Sequence, residues 1–267
     1  MKITIVGCGN MGLVYARAFI KYEIVKSSDL LLVEKNESRK EELNKLNIGK
    51  VVVANDPLIS QSEVIILAVK PQDFKELASE LKLVLAPHIV LLSIMAGVKI
   101  TYIQQQLGHS KIIRAMPNSP VEIGMGITAY SASEGIEMEQ LRKIENLLAT
   151  TGRYVYMQEE DQLDAVTALS GSGPAYFFYF VKTLIEAGKQ MGMDEAVSSM
   201  LVKQTMLGAF HLINNANKSL DNLITTVASK GGTTEAALKT FNENLVDEHI
   251  IKGLLNAEKR AKELSKA

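Results

Sequence analysis

The chain has 267 residues, enough for one large domain or two medium ones with a full hydrophobic core. Hydrophobic residues make up 47%, charged residues 22%, and a net charge of −1 gives no reason to expect nucleic acid or an anionic membrane as a partner. The apolar runs are too short to span a bilayer. Met1 leads almost directly into a predicted strand, without room for a signal peptide. We therefore expect a cytoplasmic protein.

The first predicted element is a short β-branched strand at residues 3–6, followed by the motif GCGNMG and an apolar helix. In this G-x-G-x-x-G spacing, Gly7 allows a tight turn and Gly9 allows a pyrophosphate to approach the backbone. Gly12 lets the helix pack close to the strand. The context favours a dinucleotide site, and the alternative is a plain connecting turn.

The rest of the first half alternates between strands and helices. Further strands are predicted at residues 30–33, 64–69, 89–94, 111–115, 126–130 and 153–157. Helices are predicted at residues 13–21, 37–46, 73–85, 100–107 and 138–150. This alternation is typical of a parallel sheet covered on both faces.

From about residue 158 the pattern changes to helices alone. They are predicted at residues 174–191, 194–215, 220–228, 234–241 and 247–264. Apolar residues surround most of the first of these helices, which indicates burial on several sides. We expect that burial to involve a second subunit.

Five segments carry unusual residues. Three follow predicted strands, where ligands of such sheets bind: Lys70 before a proline, the proline-bounded loop at 114–120, and small residues at 93–98. In the helical half, residues 169–176 place a proline in a first helical turn. Residues 227–235 join two helices through a double glycine and present two threonines at a helix N-terminus, where free amides attract an anion. The alternative for both is a capped helix connection.

We predict no catalytic or metal-binding role for the cysteine or the histidines. Cys8 is a small side chain in a glycine turn rather than a nucleophile. The four histidines are far apart and lack metal-ligand spacing, so no metal is expected: His88, His109, His211 and His249.

Five motifs together resemble the pyrroline-5-carboxylate reductase family: GCGNMG, LAVKPQ, RAMPNSP, ALSGSGPAYFF and SKGGTTEAAL, in this order. The resemblance implies an α/β fold, with a Rossmann-type doubly wound, mostly parallel sheet at residues 1–157. An all-α substrate-binding and dimerisation domain would follow at 158–267. It also implies a homodimer, which can assemble further, and NADPH- or NADH-dependent reduction of the C=N bond of 1-pyrroline-5-carboxylate to L-proline.

The resemblance also implies roles for individual residues. The Thr234 hydroxyl would lie near the ring nitrogen of the imino-acid substrate as the catalytic group. Substrate-binding residues would be Ser229, Gly232, Thr233 and Thr234. Together, the glycine motif and the resemblance predict these cofactor-binding residues: Gly7, Gly9, Asn10, Met11, Gly12, Glu34, Lys35, Asn55, Val69, Lys70, Pro71 and Asn118.

Two positions depart from the family pattern. Lys230 stands where the family usually has proline, so the loop before the double glycine loses some rigidity. Glu34 lies 22 positions beyond Gly12, where an acid binds the ribose hydroxyls of NAD. It would repel the extra phosphate of NADPH, although Lys35 and Arg39 could partly offset that. Cofactor choice stays open and leans toward NADH.

Two other functions remain as alternatives. One is a 3-hydroxyacid dehydrogenase, which needs a helix-borne lysine with an asparagine one turn later; the corresponding stretch at residues 173–178, GPAYFF, offers neither. The other is a non-catalytic nucleotide-sensing relative. Intact substrate motifs argue against it.

Overall fold

The computed structural model describes residues 1–265, and its sheet has eight strands. They are β1 Ile3–Val6, β2 Leu30–Val33, β3 Lys50–Val52, β4 Val64–Leu67, β5 Val90–Ser93, β6 Ile112–Met116, β7 Gly126–Ala132 and β8 Gly152–Tyr156. Their order is β3-β2-β1-β4-β5-β6-β7-β8. Neighbours pair in parallel except β6 and β7, which are antiparallel. The predicted mostly parallel sheet is therefore confirmed.

Helices cover both faces of this sheet. They are α1 Asn10–Lys21, α2 Glu37–Leu46, α3 Phe74–Leu81, α4 Ile100–Leu107 and α5 Met138–Ala149. Successive strand residues alternate between two hydrophobic clusters because side chains of a strand point to opposite faces. In β2, Leu30 and Leu32 pack with residues of α1, α2 and α5. Leu31 and Val33 pack with residues of α3 and α4, as a doubly wound fold requires.

Strand β3 is the element of the sheet that the sequence prediction missed. It has three residues at the sheet edge, and its first residue, Lys50, is exposed. Strand β4 is also shorter than predicted. It ends at Leu67, which pairs with Val6 and Ser93, the last residues of the neighbouring strands β1 and β5.

The chain forms two compact units. The sheet unit comprises Met1–Ser172 and the C-terminal residues from Ala257, and the helical unit comprises Gly173–Asn256. The short helix α6 (Gln162–Val166) and the π-helical segment Thr167–Gly171 therefore belong to the sheet unit. The predicted domain boundary at 157/158 stays a prediction. The two compact units separate further along the chain, after Ser172, because residues between 160 and 172 contact β6.

The helical unit contains α7 Gly173–Gln190, α8 Glu195–Asn215, α9 Leu220–Val227, α10 Thr233–Glu243 and the first part of α11 (Val246–Leu264). The five predicted helices are confirmed, and residues 158–265 contain no strand. In α7–α10 the buried residues are Gly173, Gly188 and Ser198. A single copy of the unit thus leaves most of its apolar side chains in contact with water. No helix within residues 1–265 combines the length and apolarity that crossing a membrane requires.

Candidate active site

In the turn between β1 and α1, the three glycines of the motif have the backbone and steric surroundings that the motif predicts. Gly7 has φ +92°, and a Cβ there would lie 2.7 Å from Val69 Cγ1. A Cβ at Gly12 would lie 2.1 Å from the Gly7 oxygen. A Cβ at Gly9, by contrast, would meet no atom within 4 Å. Gly7 and Gly12 are thus required by the fold, whereas the space above Gly9 is open to a ligand.

Free amide groups surround that open space. Gly9 is the N-cap of α1, and the Leu13 N–H donates to its oxygen at 3.0 Å. The N–H groups of the first helical turn before Leu13 have no intrahelical acceptor. Together with the helix dipole they attract an anion such as a pyrophosphate.

Glu34 lies directly over the glycine turn, although 26 positions separate it from Cys8. Its Oε2 accepts from the Cys8 N–H at 3.2 Å. Its Oε1 accepts from the N–H groups of Lys35 and Asn36 at 2.9 and 3.0 Å. These three bonds fix the carboxylate at the carboxyl end of β2.

A cleft of about 380 Å³ brings several predicted cofactor residues together. Those in its lining are Gly7, Gly9, Glu34, Lys35, Val69 and Lys70. Asn55 is not in the lining, but its neighbours Val53 and Ala54 are. Pro71 follows Lys70 in the 3-10 turn, Met11 lies in the first turn of α1, and Asn10 lines a separate cleft of about 410 Å³.

Both polar atoms of the Asn118 side chain form hydrogen bonds within the sheet unit. Its Oδ1 accepts from the Ile127 N–H at 3.0 Å, and its Nδ2 donates to Ser170 Oγ at 3.4 Å. The amide thereby links the loop after β6 to the π-helical segment. The prediction that Asn118 contacts the cofactor stays a prediction.

A buried ion cluster attaches α6 to strand β6, which carries Arg114. The Arg114 guanidinium is 3% exposed and donates to Glu160 Oε1 and Asp164 Oδ1, both at 3.0 Å. Ser265 Oγ donates to Asp164 Oδ1 at 2.8 Å, so the end of α11 is tied to the cluster. The sequence prediction gave none of these residues a role.

The predicted substrate loop lies in the helical unit. Gly231 has φ +72°, and the Gly232 N–H donates to the Ser229 oxygen at 3.0 Å, which closes a tight turn. Gly232 is the N-cap of α10, without a side-chain cap bond. Ser229, Thr233 and Thr234 thus gather at a helix N-terminus, and the turn forms with Lys230 in place of proline.

Cys8 is fully buried beneath the glycine turn. Burial, reinforced by the charge of Glu34, raises the pKa of its thiol to about 12. A protonated, enclosed thiol is not a nucleophile. Within residues 1–265 no three His, Cys, Asp or Glu side chains form a metal-binding group.

These features define an α/β protein whose glycine turn at the carboxyl end of β1 is typical of dinucleotide-binding folds. Two family models match the chain. Residues 2–97 match the NADP oxidoreductase, coenzyme F420-dependent family, and residues 160–264 match the pyrroline-5-carboxylate reductase dimerisation family.

Whole-chain relatives identify the family. The chain is 30% identical to pyrroline-5-carboxylate reductase 1 of Bacillus subtilis, over 99% of this chain and 89% of the relative. It is 34% identical to the Pseudomonas aeruginosa pyrroline-5-carboxylate reductase over 80% and 79% of the two chains. The solved structure of the Coxiella burnetii enzyme of that name is 32% identical, with a TM-score of 0.90 over 100% and 99% of the chains. The chain belongs to the pyrroline-5-carboxylate reductase family.

Proposed function

We propose that this protein reduces the C=N bond of 1-pyrroline-5-carboxylate to give L-proline, with a reduced nicotinamide nucleotide as cofactor. The observation that carries the proposal is the match over 99% of the chain to a relative named for this activity. The open Gly9 turn and the SKGGTTEAAL segment support it, because the reaction needs a dinucleotide site and an anion site.

The residues of the β1–α1 turn fit the cofactor. The open space at Gly9 and the free amides of Asn10, Met11 and Gly12 would hold the pyrophosphate, and the fixed Glu34 carboxylate would accept from the ribose hydroxyls. When bound, the cofactor supplies a hydride for the imine carbon. We extend its contacts to these residues: Lys35, Asn55, Val69, Lys70, Pro71 and Asn118.

The α10 N-terminus supplies the substrate contacts in this proposal. The free amides after Gly232, with the hydroxyls of Ser229 and Thr233, would anchor the substrate carboxylate. The Thr234 hydroxyl would hydrogen-bond the ring nitrogen as it gains amine character and a proton. Positioning the imine carbon is then the main contribution of the protein, and no strong general base is needed.

We further propose NADH as the preferred cofactor and a homodimer, formed through the helical unit, as the active species. Glu34 would repel a 2′-phosphate, and its bonds to three backbone amides hold it at the end of β2. The dimerisation model that matches residues 160–264 supports the homodimer. Further assembly of dimers and a cytoplasmic location stay predictions.

The test is oxidation of NADH and NADPH by the purified protein, followed at 340 nm with 1-pyrroline-5-carboxylate. We expect turnover with the imino acid and none with a 3-oxo acid as control. Turnover with the 3-oxo acid alone would favour the dehydrogenase alternative. Nucleotide binding without turnover on either compound would favour a sensor.

A further inference from the structure

Two lysines in the lining of the cleft that contains Glu34, namely Lys35 and Lys40, are each paired with a carboxylate. Lys35, which follows β2, donates from Nζ to Asp73 Oδ1 at 2.9 Å. Asp73 follows β4, and β1 lies between β2 and β4 in the sheet. The ion pair therefore reaches from one side of the glycine turn to the other, and both residues line the cleft.

The neighbouring cations are engaged as well. Arg39 donates from Nε to the Cys8 oxygen at 3.2 Å and pairs with Glu42 at 2.6 Å. Lys40 pairs with Glu37 at 2.7 Å. The expected offset of the Glu34 charge by Lys35 and Arg39 is thus reduced, because each cation already has a carboxylate partner.

We propose that Asp73 is a second cofactor-specificity residue: by pairing with Lys35 it withholds this cation from a 2′-phosphate. The inference rests on the proposed function and adds to it a residue 38 positions from Lys35 in the sequence. A nucleotide with a free 2′-hydroxyl leaves the pair intact. A 2′-phosphate must either break the pair or accept a second carboxylate beside it, in addition to Glu34.

The pair lies at the surface, which limits its effect. The Lys35 side chain is 71% exposed and that of Asp73 35% exposed. Exposed ion pairs contribute little and are screened by salt, so we expect a change in selectivity of about two- to fivefold. The Asp73 hydrogen bond raises the pKa of Lys35, as expected for a cation paired with a carboxylate. Asp73 makes no side-chain cap bond to α3, so its replacement by Asn leaves that helix unchanged.

The experiment measures dissociation constants of adenosine 2′,5′-bisphosphate and of adenosine 5′-monophosphate by calorimetry at low salt. The full-length wild type is compared with Asp73→Asn, Lys35→Gln and the double variant. Glu76→Gln is the matched control, because Glu76 lines the same cleft and its charge also acts on Lys35, but it makes no ion pair among residues 1–265. We expect Asp73→Asn to tighten the bisphosphate about two- to fivefold relative to the monophosphate. The change in selectivity should be smaller in Glu76→Gln. It should also be smaller when Asp73→Asn is introduced into the Lys35→Gln variant.

Three results overturn the inference: an equal change for both nucleotides, an equal selectivity change in Glu76→Gln, or an undiminished effect without Lys35. If the wild type binds the monophosphate and Asp73→Asn leaves the selectivity unaltered, the role of Asp73 is rejected and the proposed function is not. Failure of wild type to bind either nucleotide contradicts the proposed function as well, so the two failures are distinguishable.

Discussion

Gly9 and Gly12 belong to one turn but have opposite steric surroundings. Because Gly9 faces open space, Gly9→Val should fold normally and lose cofactor binding, since the side chain would occupy the pyrophosphate position. Gly12→Ala should instead lower thermal stability, because its Cβ would lie 2.1 Å from the Gly7 oxygen. Melting curves and nucleotide titrations of both variants test this. Near-normal cofactor affinity in Gly9→Val would refute the dinucleotide interpretation.

Ser229 and Thr234 should differ in kinetics if both contact substrate. Within residues 1–265 the Thr234 hydroxyl makes no hydrogen bond, and Gly232 caps α10 without a side chain. Thr234→Val should therefore keep its melting temperature and lower kcat about ten- to a hundredfold, as expected for a bond to a developing charge. Ser229→Ala should mainly raise KM, because a carboxylate contact exists in the ground state too.

The contrary result for these two variants is clear. If both residues served only the helix start, each variant would melt earlier and keep wild-type kinetic constants. Stable variants with unchanged kcat and KM would remove this loop from the active site.

Glu34 should determine cofactor preference through its charge. Glu34→Gln removes the charge and keeps one of the two acceptor oxygens, which can still serve the Lys35 and Asn36 N–H groups while the Cys8 N–H loses its acceptor. Because the repulsion is removed, we expect kcat/KM for NADPH to rise relative to NADH. Asn36 is the control, because its Oδ1 caps α2 by accepting from the Arg39 N–H at 3.0 Å. Asn36→Ala should cost about 1 kcal/mol of stability and leave the cofactor ratio unchanged. An unchanged ratio in Glu34→Gln would contradict the role of its charge.

At the scale of elements, a buried ion cluster and an exposed ion pair hold the α6 region against other elements of the sheet unit. Arg114 is enclosed with Glu160 and Asp164, whereas Lys99 meets Asp161 with side chains 36% and 80% exposed. Arg114→Met should lower the free energy of unfolding by about 3–5 kcal/mol, because it leaves buried carboxylates unpaired. Lys99→Met should cost less than about 1 kcal/mol. Urea unfolding at fixed protein concentration measures both, and similar losses would contradict this assignment.

Elements whose signal is local were predicted from the sequence to within a few residues. Strand β2 and helix α2 match their predicted bounds, the first as a continuous apolar run and the second with Asn36 as its cap. Strand β3 was missed because three residues at a sheet edge leave no periodicity to detect.

The candidate site was predictable only in part, for the same reason. The glycine turn and Glu34 follow from spacing within one strand–helix–strand segment. The ion pairs Lys35–Asp73 and Arg114–Asp164 join residues 38 and 50 positions apart in the sequence. No local sequence pattern predicts such pairs. The substrate-binding roles of Ser229 and Thr234 stay predictions, since the substrate loop and the glycine turn belong to different compact units.

At the scale of the whole molecule, the helical unit leaves a large apolar surface exposed in a single chain. Phe178 is 69% exposed and, with Phe177, Val181 and Ile185, lines a cleft of about 570 Å³ whose lining also includes lysine and glutamate residues. Contiguous exposed apolar surface is typical of an interface. We therefore expect an obligate oligomer whose urea midpoint rises with protein concentration.

Two aspartate substitutions test which surface forms that oligomer. Phe178 lies in the helical unit, and Leu83, 72% exposed, is its matched control in the sheet unit. Phe178→Asp should weaken association by about 2 kcal/mol or more, because it would bury a charge in the apolar interface. Leu83→Asp should leave the oligomer unchanged, since that side chain stays in water. Light scattering over a dilution series distinguishes the two. An active monomer of the wild type at assay concentration, or equal dissociation of both variants, would contradict a dimer formed through the helical unit.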